Sequence, residues 1–207
     1  MNFKNLIKGA QRIPVTSAVI LLGVLGYLAV VFDSDIRPLL FYPPHPSMGA
    51  SGYLRLLTPT FLHFHPLHIL FNALWIWEFG RRIELYCGSI ACLLLFLITA
   101  LAANFTQFYS SGIVAFGGLS GVVYGYLGFL FIARRAVPSP LFRLPIGLFV
   151  AMLVFLLLGY LGVIGFLMGA GIANGAHLGG LLSGLLCGLV YFYRDIDRIV
   201  GIRHEPR

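Results

Sequence analysis

LYCGSIACLLLFLITALAANFTQFYSSGIVAFGGLSGVVYGYLGFLFIA, residues 85–133, is a run of 49 residues without a charged side chain. A bilayer-crossing helix needs about 20 apolar residues. The run therefore holds two such helices, with a turn at Tyr109-Ser110-Ser111-Gly112. Working outward, a second uncharged run of 50 residues lies between Arg143 and Arg194, and the glycine-rich stretch Gly165 to Gly175 marks its turn. Two shorter gaps, 20 residues after Arg12 and 22 after Arg55, each hold one helix. The expectation is an all-α membrane protein with six transmembrane helices near 13–32, 64–83, 86–108, 119–134, 144–166 and 175–193. A large outer loop, 33–63, separates the first two and carries Pro38, Pro43, Pro44, Pro46 and Pro59.

The composition agrees. Of 207 residues, 59% are hydrophobic and 10% charged, and the mean hydropathy is +0.92. A soluble domain carries about 25% charged residues. The net charge of +7 is not a nucleic-acid signal, because the cations alternate by loop. Twelve of the 14 Lys and Arg residues fall on the side shared by both termini, and only Arg37 and Arg55 fall on the other. This bias predicts a multi-pass membrane protein with both termini cytoplasmic. The apolar run 13–32 is long for a signal peptide and reads as a retained helix. The organisation is a short N-terminal segment (1–12), a six-helix domain (13–193) and a basic tail (194–207). Cys87, Cys92 and Cys187 lie in or near spans and imply no disulfide framework.

Two polar groups stand at the outer ends of uncharged segments. Ser120 sits in Phe116-Gly117-Gly118-Leu119-Ser120-Gly121, and His177 in Asn174-Gly175-Ala176-His177-Leu178-Gly179-Gly180. Ionisable groups are costly in a bilayer and default to function. A serine and a histidine suffice for nucleophilic acyl transfer. Taken alone, such a serine more often packs or bonds a helix carbonyl, and a lone histidine is often structural. Topology weighs against that here. The second, fourth and sixth helices all start on the outer side, so His68, Asn72, Ser120 and His177 share one depth. Gly121, Gly125 and Gly128 match Ala176, Gly180, Gly184 and Gly188 as small-residue ridges that allow close helix approach. Tyr124, one turn after Ser120, is placed to pack on the His177 ring.

No acidic residue falls beside this outer site, so a Ser-His dyad is expected rather than a triad. His63, His65 and His68 invite a metal reading, but no Cys, Asp or Glu accompanies them. No metal or cofactor is expected, and His63 is read as bonding within the outer loop. A transporter would need repeats and paired midplane charges, which the sequence does not show.

Phe116-Gly-Gly-Leu-Ser-Gly-Val-Val-Tyr124 resembles the GxSG motif of rhomboid intramembrane serine proteases. Ala176-His177-Leu-Gly-Gly180 is similar to their AHxxG motif, and His68-Ile-Leu-Phe-Asn72 to their HxxxN motif. The resemblance implies a six-helix rhomboid bundle with Ser120 as nucleophile and His177 as base. It implies an oxyanion site of the Ser120 N–H, His68 and Asn72, supported by Tyr124, Gly118 and Gly180. The implied partners are transmembrane protein substrates within the lipid bilayer, entering past Phe71, Leu157 and Tyr160 and cleaved near the outer face. Arg55 resembles the arginine of the family's WR pair, with Leu54 in place of tryptophan. Glu84 resembles a structural glutamate at the inner end of the second helix. The alternative is a catalytically inactive rhomboid-like protein that binds membrane helices, and the presence of both Ser120 and His177 argues against it.

Overall fold

The computed structural model describes residues 11–32, 35, 36, 39–41, 49–168, 171–195, 197 and 200. Asp33, Arg37, His45, the prolines at 38, 43, 44 and 46, and the segments 1–10 and 201–207 lie outside the described residues. The regular structure among the described residues is helical, with no strand. The helices are α1 (Pro14–Val31), α2 (Ala50–Leu54), α3 (Pro66–Cys87), α4 (Ser89–Ser111), α5 (Ser120–Ala136), α6 (Ile146–Tyr160), α7 (Val163–Met168) and α8 (Asn174–Tyr191). Six of them run to 15 residues or more.

Local chemistry sets their ends. The His65 side chain accepts the Leu67 N–H at 3.3 Å and caps α3, and Pro66 opens the helix where no N–H is needed. Gly88 ends α3 at φ 84°, a backbone region that disfavours other residues. Helix α5 stops at Ala136 because Val137 precedes Pro138 and is extended. The expected fifth span, 144–166, is interrupted. Helix α6 ends at Tyr160, Gly162 turns the chain at φ 77°, and α7 starts afresh.

Three segments are long and apolar enough to cross a membrane on those grounds alone: Pro14–Val31, Ser89–Ser111 and Pro140–Tyr160. Of the other three long helices, α3 carries Glu78, Arg81, Arg82 and Glu84, and α5 and α8 are rich in glycine. Helix α5 is central, with every residue from Gly121 to Leu130 buried. It packs most extensively on α8, which also lies along α4. Glycines on two faces of α8 make this possible. A Cβ at Gly175 or Gly179 would strike α4 at Ser110 or Thr106, whereas one at Gly180 or Gly184 would strike the α5 carbonyl of Gly121 or Gly125. Without water to drive apolar association, such backbone proximity supplies much of the packing attraction. The exposed apolar residues Leu21 and Leu25 of α1, Ile90 and Leu94 of α4, and Leu153 and Leu157 of α6 face outward around this polar, glycine-rich centre. With the three apolar segments, they mark an integral membrane protein.

Glu84 ties the end of α3 to the start of α1. Its carboxylate accepts the Val15 N–H at 2.9 Å, the Thr16 N–H at 2.8 Å, the Thr16 hydroxyl at 2.7 Å and the Ser89 hydroxyl at 2.8 Å. Three of these four bonds satisfy groups in the first turn of α1, where an anion also complements the helix dipole. At the same end, Arg82 pairs with Glu78 and donates to the Leu141 carbonyl at 2.9 Å, fastening the segment that leads into α6.

Candidate active site

Ser120 is the first residue of α5, and His177 lies in the first turn of α8. Both positions follow from the α5–α8 contact. Gly121 lies against the Ala176 carbonyl, and Gly180 against the Gly121 carbonyl, so the residues beside them meet. His177 Nε2 is 2.9 Å from Ser120 Oγ. Ser120 is half-buried and His177 is buried, so the hydroxyl is the accessible member of the pair. The Tyr124 ring stacks on the His177 imidazole with centroids 4.7 Å apart and planes at 26°. Tyr124 is itself held, because its hydroxyl donates to the Met152 carbonyl of α6 at 2.8 Å. Among the described residues, His177 Nδ1 is buried without a hydrogen-bond partner. Among the described residues, therefore, no carboxylate orients the ring. The ring is stacked on Tyr124 instead.

The opposite wall comes from α3. Gly118 has φ 124°, open essentially to glycine alone, and a Cβ there would sit 2.7 Å from His68 Cε1 and 2.8 Å from its Nε2. Asn72 Nδ2 is the next atom outward from that point, at 3.6 Å. His68 and Asn72 thus flank the backbone two residues before Ser120. The first bond of α5 runs from the Val123 N–H to the Leu119 carbonyl at 2.9 Å. The N–H groups of Ser120 and Gly121 precede it and have no intrahelical acceptor. The arrangement brings a hydroxyl, an imidazole and N–H donors together beside one glycine turn, groups of the kind that acyl transfer uses.

His63 belongs to the same constellation, beyond its expected place in the outer loop. It is fully buried, with Nδ1 3.0 Å from the Phe61 carbonyl, and its Nε2 accepts the Leu119 N–H at 3.3 Å and stands 3.1 Å from Asn72 Nδ2. Its ring contacts that of His68, with centroids 4.8 Å apart. Burial, and then the neighbouring His68, lower its pKa to about 4, although the Phe61 carbonyl opposes the shift. No sequence periodicity flags His63, since it precedes α3 and bonds across 56 residues to Leu119. His65 caps α3, and both His63 nitrogens are engaged in hydrogen bonds.

The segment before α3 is anchored through its backbone. Asn104 Nδ2 donates to the Leu56 carbonyl at 2.8 Å and to the Thr60 hydroxyl at 3.0 Å, and Arg55 Nε donates to the Leu40 carbonyl at 3.1 Å. Leu54, in the position expected for tryptophan, is 63% exposed. Gln107 of α4 accepts the Ala176 N–H at 3.2 Å, adjacent to His177. Phe71, Leu157 and Tyr160 are exposed.

A family profile of the Rhomboid domain matches residues 50–194, covering α2 through α8. The chain belongs to the rhomboid family. It is 39% identical to the rhomboid protease GlpG of Haemophilus influenzae over 183 residues, 87% of this chain and 92% of that one. It is 34% identical to the rhomboid proteases GlpG of Yersinia pestis and Yersinia pseudotuberculosis over 178 residues, 86% of this chain but 62% of theirs. As a rhomboid-family member the chain is an intramembrane serine protease.

Proposed function

We propose that this rhomboid cleaves transmembrane protein substrates near the outer face of the bacterial inner membrane, through a Ser120–His177 dyad and an acyl-enzyme. The observation that carries the reading is the 2.9 Å contact between Ser120 Oγ and His177 Nε2 at the start of α5. His177 removes the hydroxyl proton as Oγ attacks a peptide carbonyl. The resulting oxyanion is met by the Ser120 N–H and the side chains of His68 and Asn72. Collapse breaks the C–N bond, and His177 returns its proton to the departing amine. A water, deprotonated in turn by His177, releases the acyl group and restores Ser120.

Six spans, with both termini cytoplasmic and the 33–63 loop outside, fit this chemistry. Helix α5 has 17 residues, about 25 Å of rise against a hydrocarbon core of about 30 Å. With its Arg134–Arg135 end at the inner surface, Ser120 lies below the outer surface, where a transmembrane segment entering past Phe71, Leu157 and Tyr160 reaches it. The intact Ser–His pair weighs against a non-proteolytic helix-binding role.

Cleavage of a transmembrane substrate in reconstituted vesicles tests the reading. Ser120→Ala is expected to abolish cleavage while leaving the fold intact, and a fluorophosphonate is expected to label wild type at Ser120. Asp33→Asn and Asp35→Asn are expected to keep the rate. Cleavage surviving in Ser120→Ala, or labelling at another serine such as Ser183 of α8, overturns the nucleophile. A collapse in either aspartate variant overturns the dyad.

A further inference from the structure

We propose that His63 is a positioning residue for proteolysis, which sets the amide of Asn72 so that a donor rather than an acceptor faces the oxyanion. The inference rests on the protease reading above. Two groups of fixed polarity determine the His63 tautomer. The Phe61 carbonyl accepts only, so the Nδ1 atom 3.0 Å away carries the proton. The Leu119 N–H donates only, so the Nε2 atom 3.3 Å away presents its lone pair. That lone pair is also 3.1 Å from the Asn72 side chain, which must turn its NH2 group toward it.

The consequence reaches the reaction centre. An amide nitrogen has two N–H bonds and spends one on His63. The other remains for the space beside Gly118, where Asn72 Nδ2 and His68 Nε2 lie together. Were His63 to present N–H at Nε2, Asn72 would offer its oxygen there, and a second acceptor would meet the developing negative charge. The Leu119 N–H would also lose its partner immediately before Ser120. His63 is fully buried, so solvent cannot substitute for either bond. One ring thereby couples the α3 donor to the backbone that carries the nucleophile.

Three variants separate this role from simple support of the loop. His63→Gln places a carbonyl oxygen near the position of Nε2 and retains the acceptor. His63→Asn retains a donor for the Phe61 carbonyl and loses the acceptor. His63→Leu keeps bulk alone. In wild-type-like vesicles, His63→Asn and His63→Leu are expected to lower kcat about 100-fold, the usual effect of misplacing or losing one oxyanion donor. KM is expected to stay within about two-fold, because the contact strengthens in the transition state. His63→Gln is expected to recover most of kcat. In an Asn72→Ala background, His63→Leu is expected to add less than about three-fold, since residues that act through one another are non-additive.

Retention of kcat by His63→Leu, recovery by Asn instead of Gln, or full additivity with Asn72→Ala overturns the role of His63 while the protease reading stands. If His63→Leu does not fold, the Gln and Asn pair still decides the matter. A wild-type protein inert toward both substrate and fluorophosphonate overturns the protease reading itself.

Discussion

Gly180 is where a single methyl group should most directly disturb the contact between Ser120 and His177. A Cβ at this position would lie inside the van der Waals envelope of the Gly121 carbonyl oxygen, with the Gly121 carbonyl carbon only 2.8 Å away. The obstacle is helix backbone, which cannot rotate aside as a side chain does. Restoring ordinary contact at about 3.5 Å requires α5 and α8 to separate by more than about 1 Å. Ser120 adjoins Gly121, and His177 lies one turn before Gly180, so the separation falls directly on their 2.9 Å contact. A displacement of about 1 Å costs on the order of 100-fold in rate, and overpacking costs about 1–3 kcal/mol of stability. Gly180→Ala should therefore lower kcat about 100-fold, and Gly180→Val further. Gly188→Ala is the control, because its Cβ would meet chiefly the Ile132 side chain, 2.9 Å away, three turns from the site. The assay is kcat on a reconstituted transmembrane substrate, with thermal unfolding of each variant alongside. Gly180→Ala with wild-type kcat, or Gly188→Ala with an equal loss, would refute the argument that this crossing sets the dyad geometry.

Other outcomes follow from the same contacts. Asn72→Ala should reduce kcat by about 10²–10³ with little change in KM, measured by steady-state cleavage; a pure KM effect would make Asn72 a substrate contact. Glu84→Gln should lower stability by about 1–3 kcal/mol, because an NH2 group replaces an acceptor facing buried donors, while the kcat of the folded fraction stays near wild type; an unchanged unfolding midpoint would contradict the capping role. His63, with its pKa lowered from 6.5 to about 4, holds no proton in the folded protein at pH values where the unfolded chain already binds one. Stability present above pH 6.5 should thus fall as pH drops toward 4, with His63 as one contributor, and His63→Gln should reduce the slope of the stability profile there; an unchanged slope would exclude His63 as a contributor.

The uncharged runs announced helices α1 and α4 with their approximate bounds, and the start of α6, since transfer of apolar surface from water is a property of each segment alone. Motif chemistry also picked out Ser120, His177, His68, Asn72 and Tyr124, because polar groups in an apolar helix stand out against their neighbours. The interruption at Gly162 was less visible, since an apolar run reads alike through a helix and through a turn. What the linear pattern did not contain was direction. That Gly175 and Gly179 face α4 whereas Gly180 and Gly184 face α5, that Glu84 caps a helix beginning 70 residues earlier, and that His63 binds Leu119 and Asn72 at once are all decided by packing. Apolarity and propensity act within a few residues and were legible in the sequence. Close backbone contact and buried hydrogen bonds act between residues on different elements, most of them far apart in the chain, and only the assembled helices determine which groups those are.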